Sequence, residues 1–189
     1  MPENNEIKRA LSRGLKSLMC QQKFDEITVA DICAVSAVSR RSFYRYFPDK
    51  YALLNWVHYD DFCRFFDDKK TPHALQILPG ACEHLYRNRA FYVNAFDVTG
   101  PGAFREFCIE RLYIYLERDF GSACETDEER QFYITRILDA LFDHLQNWLR
   151  TEPCTPPDEF ARQTIRSMTR FSTLFAAVST VVSDEMKLY

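Results

Sequence analysis

Glycine is scarce in this chain, with 5 residues among 189, and most of the 8 prolines fall at 72–79 and 153–157. So few turn formers between long periodic stretches exclude a sheet-rich architecture and predict an all-α chain. No run of 18 or more apolar residues occurs, which excludes a membrane-spanning helix. The first 20 residues are charged and lack the apolar stretch of a signal peptide, so a cytoplasmic location is expected. Seven cysteines, at 20, 33, 63, 82, 108, 124 and 154, form no Cys-x-x-Cys pair and are odd in number. They read as reduced thiols used as small apolar residues, and no spaced His/Cys cluster predicts a metal site. His58, His84 and His144 stand alone and are not read as ligands. Ser/His/Asp, Cys/His and paired-carboxylate arrangements are missing, as are phosphate-binding glycine loops. Their absence argues against an enzyme and implies no cofactor.

What the chain does have is apolar mass and an uneven charge. Apolar residues make up 47% of it, enough for a real core. Residues 1–50 carry nine Lys/Arg against six acids, a net of +3, while the remainder carries 15 against 21, a net of −6. A basic head on an acidic body points to a polyanion met by the head.

In the head, Ile7, Ala10, Leu11, Leu15, Leu18 and Met19 recur at three- and four-residue spacing, which predicts a helix from about 5 to 22. Lys8, Arg9, Arg13 and Lys16 fall mostly off that stripe and are expected in solvent. Phe24 and Ile27 follow as plugs into the same core. Thr28 opens a second helix as its N-cap, with Asp31 in the position of a capping-box acid. That helix ends near Val35, a turn follows at Ser36-Ala37-Val38, and Ser39 caps a third helix, Arg40 to Tyr46. Two short helices joined by a three-residue turn are a helix-turn-helix pattern. Phe43 and Phe47 anchor the third helix, leaving Arg40, Arg41, Ser42, Tyr44, Arg45 and Tyr46 outward, where guanidinium forks and hydroxyls suit base edges and phosphates. Pro48 stops it. Asp49 caps a fourth helix whose first turn holds Lys50 and whose N-terminus is suited to a phosphate.

The stretch FDEITVADICAVSAVSRRSFYRYFPDKYALL, Phe24 to Leu54, resembles the DNA-binding domain of the TetR family of bacterial regulators. Thr-Val-x-x-Ile, the Val-Ser before the recognition helix, Phe-Tyr-x-Tyr-Phe and Lys-x-x-Leu-Leu carry the resemblance. Ala37 stands where the family usually has Gly, at a turn position suited to a left-handed backbone. The resemblance implies that the second and third helices address the major groove of double-stranded operator DNA, with Tyr44 and Lys50 on phosphates. The expected DNA-contacting set is Thr28, Ser39, Arg40, Arg41, Ser42, Tyr44, Arg45, Tyr46 and Lys50.

The remainder, 51–189, is expected to be an all-helical regulatory and dimerisation domain after a DNA-binding domain at 1–50. A long helix runs from Asp49 to about Lys70. Residues 73–88 look helical, with Pro79 kinking the helix or starting a new one. Ala90 to Phe96 follow, then a loop at Thr99-Gly100-Pro101-Gly102. Stripes at 104–120, from Ile134 to Leu149 after a Thr126 cap, and from Asp158 onward predict three more helices. The family resemblance implies a homodimer through residues 127–151 and 158–180. The segment FYVNAFDVTGPGAFRE, Phe91 to Glu106, resembles a subgroup typified by activators of dihydroxyacetone kinase operons.

Residues expected to line a small-molecule pocket in the body are Tyr86, Phe91, Tyr92, Phe104, Phe107, Arg111, Tyr113 and Trp148, with core packing as the alternative. Three functions compete: a ligand-responsive repressor, an activator whose body binds a protein partner, and an interaction protein that uses DNA as a platform. A body filled by Phe side chains favours the second or third.

Overall fold

The structure is a computed structural model, and it describes residues 2–66, 73–100, 102–120 and 124–170. Among them there are helices and no strand. Helix α1 (Pro2–Met19) buries Leu11, Leu15 and Met19. A single 3-10 turn at Phe24–Glu26 then drives Phe24 and Ile27 into the same core.

Helix α2 (Val29–Ser36) begins with a full capping box. The Thr28 hydroxyl accepts from the Asp31 amide at 3.2 Å, and the Asp31 carboxylate accepts from the Thr28 amide at 2.9 Å, so two orphan donors are satisfied together. At its end Ala37 takes a left-handed conformation, φ 54°. The turn is kept despite the Cβ, because the amides of Ala37 and Val38 return to the carbonyls of Ala34 and Cys33. Ser39 caps α3 (Arg40–Tyr46) by accepting from the Ser42 amide at 3.1 Å.

Helix α4 (Lys50–Phe66) is capped by Asp49, whose carboxylate accepts from the Ala52 amide at 2.8 Å. Helix α5 (Ala74–Arg87) holds Pro79 inside it, so no new helix starts at that proline. Helix α6 (Arg89–Ala95) follows across Asn88. Gly100 and Gly102 then turn the chain at positive φ. A Cβ on Gly102 would lie 3.1 Å from the Tyr51 carbonyl, so this loop sits against the start of α4. Helices α7 (Phe104–Phe120) and α8 (Asp127–Arg150) pack against each other, and α9 covers residues 157–170. Pro157 opens α9, where a missing N–H costs nothing.

One hydrophobic core extends without interruption from Leu11 to Ala161. Helix α1 packs on α2, α4 and α6, and α7 packs on α4, α5 and α8. Head and body therefore share a core across residue 50, and α4 carries both. The expected stripe of α8 is used mainly inside the protomer: Ile134, Leu138, Phe142, Leu145, Trp148 and Leu149 are buried, while Ile137 is partly exposed. Of the segment 158–180 expected at a dimer face, residues 171–180 lie outside the described residues, as does the expected helix end at Asp67–Lys70.

Candidate nucleic-acid interface

Helix α3 is seven residues long and held from beneath. Phe43 is fully buried and Phe47 nearly so, their rings 6.0 Å apart. Phe47 packs on Trp56 of α4. With those positions fixed, Arg40, Arg41, Tyr44 and Arg45 face outward, Tyr44 with 58% of its surface exposed. Among the described residues, Arg40, Arg41 and Arg45 have no carboxylate within ion-pair distance. The outer face of α3 is thus a set of guanidiniums free of ion pairs among the described residues, on a helix anchored by Phe43 and Phe47, with the Asp31 carboxylate near enough to feel the Arg40 charge. Such a surface is matched to phosphates and guanine edges.

The hydroxyls are arranged differently. Ser39 accepts from the Ser42 amide and donates to the Ser42 oxygen at 3.0 Å. Thr28 donates to the Asp31 carboxylate at 2.6 Å, and that bond leads the causes holding the Asp31 carboxyl below its ordinary range. Tyr46 is half-buried against the core with the Arg45 guanidinium 5.8 Å from its ring centre, so it is less outward than its spacing implies.

Lys50, expected on a phosphate, is placed against carbonyls of its own chain. Its ammonium donates to the carbonyls of Phe24 at 2.8 Å, Asp25 at 3.2 Å and Ile27 at 2.9 Å, and lies 4.6 Å from the Phe24 ring centre. All three donors are occupied, so in this conformation Lys50 clamps the 3-10 turn to α4. The Asp49 carboxylate likewise places a negative charge at the start of α4.

Comparison with known proteins bears on this geometry. The family model for bacterial regulatory proteins of the tetR family matches residues 15–57, which hold α2, the turn and α3. A model described as a transcriptional regulator C-terminal region matches residues 73–170, more than half of the chain. The chain belongs to the TetR family. It is a TetR-type transcriptional regulator with an N-terminal helix-turn-helix and a helical C-terminal region, and not an enzyme.

One curated relative is the HTH-type dhaKLM operon transcriptional activator DhaS of Lactococcus lactis subsp. lactis. It is 28% identical over 91 residues, covering 48% of this chain and 49% of the relative. The matched stretch is thus about half the length of that relative. Among solved structures, the dihydroxyacetone kinase operon activator DhaS aligns with a TM-score of 0.64 at 19% identity, over 89% of this chain and 97% of its own. A putative TetR-family regulator from Syntrophomonas wolfei aligns at 0.70 and 15% identity, over 90% and 96%. Such low identities establish the shared fold.

Within this TetR-type fold the body does not gather the expected pocket residues. A cavity of about 70 Å³ lies between α4, α5, α7 and α8, lined by Phe62, Leu78, Phe104, Cys108, Leu138 and Phe142 among others, with Met168 of α9. Of the expected set only Phe104 reaches it. Phe91 and Tyr92 are buried in the core beside it. Trp148 is stacked between Phe160, 4.2 Å away, and Tyr86, 6.1 Å away, and donates to the Thr155 carbonyl at 2.8 Å. Phe107 and Arg111 line an outer groove between α4 and α7, where the guanidinium lies over the Tyr59 and Phe107 rings. Tyr113 is half-buried against the core. Aromatic side chains look alike in sequence whether they line a cavity or fill one, which is why the spacing did not separate them.

A polar cluster at the junction of head and body was not foreseen. Asp61 of α4 accepts from Lys16 of α1 at 2.5 Å and from the Tyr92 hydroxyl of α6 at 2.7 Å, and His84 of α5 lies 3.4 Å from it. Burial alone would raise the Asp61 carboxyl, but the His84, Lys16 and Tyr92 contacts outweigh it and hold it at about 2. The available signal was a carboxylate on the apolar face of α4, one turn after Val57 and His58. His58 itself is fully buried against Phe91, Phe104 and Phe107, and among the described residues neither ring nitrogen meets a partner with good hydrogen-bond geometry, the Gly102 backbone being the polar group that bears on the ring. Burial pushes it down to about 3, so it is neutral. Burial also pushes the Cys82 thiol up to about 12 and Cys108 well above its ordinary value, in keeping with inert packing residues.

Proposed function

We propose that this protein acts in the cytoplasm as a homodimer that reads a two-fold symmetric operator through α2 and α3 of each copy. The observation that carries the reading is the outer face of α3, where Arg40, Arg41 and Arg45 stand without an ion-paired carboxylate among the described residues, on a helix held by Phe43 and Phe47. Arg40 and Arg41, at the helix start, are assigned to base edges, and Tyr44 to phosphate. Thr28, Ser39 and Ser42 are assigned to phosphate oxygens within reach of their caps. Two heads related by a two-fold axis meet half-sites about 34–36 Å apart. The dimer face is assigned to α8 and α9, and Phe132 and Tyr133, 61% and 51% exposed on α8, support a covered surface there.

Regulation is assigned to the body acting through α4. An effector shifts DNA affinity only by binding two head positions differently, typically by about 1–3 kcal/mol. The Lys16–Asp61 pair, joined to Tyr92 and His84, is a physical link by which α5 and α6 bear on α1. A small molecule in the apolar cavity is one modulator. The second reading is an activator whose body binds a protein partner. The small volume of that cavity, between Phe62, Phe104 and Phe142, favours it, as does the exposed Ile114 on α7. The likeness to a relative named as an operon activator points the same way.

The test is selection of duplex DNA from a random pool on the purified protein, followed by sedimentation with and without the selected duplex. A two-fold symmetric consensus and twice the chain mass are expected. Failure to enrich any sequence, or a stable monomer that binds the duplex, overturns the reading.

A further inference from the structure

We propose that Arg9 and Arg13 of α1 form a second phosphate-binding edge of the DNA interface, beside the turn between α2 and α3. The inference rests on the DNA-binding reading above and extends it to a helix outside the helix-turn-helix. An open cleft of about 560 Å³ lies between α1 and that turn, and Arg9, Arg13, Ser36, Ala37 and Val38 line it. Arg9 and Arg13 are four residues apart, so they lie on one face of α1 about one helical turn, roughly 5–6 Å, from each other. Both are exposed, and neither pairs with a carboxylate among the described residues.

The other cations of α1 are used differently. Lys16 is paired with Asp61, and the Lys8 ammonium lies 5.9 Å and 6.0 Å from the ring centres of Phe47 and Trp56. Only the two arginines stand over the cleft.

The cleft is rigid and correctly placed. Gly14 lets α1 approach the end of α2 so closely that a Cβ there would lie 3.1 Å from the Ser36 Cβ and 3.3 Å from the Ile32 carbonyl. That contact sets the backbone of α1 beside the turn, with Arg13 the residue before it. The turn is fixed by the left-handed Ala37. Two residues after Val38, at the rim of the cleft, Arg40 opens the recognition helix. When the start of that helix enters the major groove, the turn behind it rides at the groove edge, where the phosphate backbone runs. The guanidiniums of Arg9 and Arg13 then face adjacent phosphates. Glu6, three residues before Arg9, also lines the cleft and opposes such an anion.

The experiment measures binding of the full chain to a selected duplex and to a scrambled one, by fluorescence anisotropy between 50 and 200 mM salt. The variants are Arg9→Gln, Arg9→Gln/Arg13→Gln, Glu6→Gln and Arg40→Ala, each checked for an unchanged melting temperature. The double variant is expected to weaken both duplexes alike, to keep the base preference, and to lower the slope of log K against log salt by about 2; the single variant lowers it by about 1. Glu6→Gln is expected to strengthen binding. Trimming the duplex to the contacted bases should abolish the difference between parent and double variant. If Arg40→Ala loses binding while the double variant and Glu6→Gln leave affinity and slope unchanged, the second edge does not exist. If Arg40→Ala also binds like the parent, the DNA-binding reading fails with it.

Discussion

Head and body differ in how many of their arginines are paired within the chain. In the body, Arg87, Arg89, Arg105, Arg118, Arg130, Arg136, Arg150 and Arg162 each hold a carboxylate of the same chain, whereas Arg111, Arg166 and Arg170 hold none among the described residues. Arg105 alone ties α7 to α8 through Asp139 and Asp143, both at 2.8 Å. In the head, Arg9, Arg13, Arg40, Arg41 and Arg45 hold none among the described residues, and two of the acids there serve the backbone: Asp31 completes the capping box of α2 and Asp49 caps α4. A guanidinium satisfied within the chain contributes to the fold and is lost to a partner. One left open contributes little to the fold and keeps its donors for a phosphate or a base. Most described arginines of the body are thus tied to the scaffold, while those of the head are left open.

The sharpest way to break this division is at the junction, where a head cation is used as the body uses its own. Asp61→Ala should cost about 3 kcal/mol of unfolding free energy in urea, because Lys16, Tyr92 and His84 lose their shared acceptor in a largely buried site. A loss below about 1 kcal/mol would mean that head and body are not joined there.

Next comes the open face. Arg40→Ala and Arg41→Ala should each weaken operator binding by about 1–3 kcal/mol and relax preference at one base pair, while unfolding stability stays within about 0.5 kcal/mol of the parent. A matching fall in stability would show that these arginines belong to the fold after all.

Acid sharpens the contrast from the side of the body. The His58 ring is held at about 3 when folded, against about 6.5 in an unfolded chain. Below pH 6.5 the unfolded state therefore binds a proton that the folded state refuses, and stability falls as the pH drops toward 3. From pH 7 to pH 5 this removes about 2 kcal/mol. Burial lowers His144 in the same direction. Asp61, held at about 2, adds its own loss only below pH 4. His58→Leu should flatten the profile between pH 7 and 5 and leave the lower limb, as read by urea unfolding at each pH. An unchanged slope would place the acid sensitivity elsewhere.

Two smaller effects complete the order. Arg105→Ala should lower stability by about 1 kcal/mol, since its pairs are partly exposed, and leave DNA affinity unchanged. Ala37→Gly should raise stability by about 0.5–1 kcal/mol by relieving a Cβ at φ 54°. If Ala37→Gly destabilises, the turn is not strained.

What could be read from the chain follows the same division. The head was legible because its signals are local. Thr28 and Ser39 announce caps, the Ser36-Ala37-Val38 spacing announces the turn, and Phe43 and Phe47 announce the buried side of α3. The carbonyl partners of Lys50 were not legible because they lie 23 to 26 residues earlier, which no local pattern reveals. Pro79 suggested a kink or a new helix, and α5 does not restart there. In the body the helices were legible from their stripes, but the pocket was not. Whether Tyr92 fills a core or lines a cavity depends on Asp61, His84 and Phe104, which reach it from three other helices.

The most direct test of the central claim, that the open arginines of α3 read DNA, is the ratio of affinities for a selected operator and a scrambled duplex at one fixed salt concentration. It is measured for the parent and for Arg40→Ala/Arg41→Ala. The parent should prefer its operator by about 10³-fold or more, and the double variant should fall toward its affinity for the scrambled duplex with its melting temperature unchanged. A double variant that keeps the parent's ratio would contradict the account.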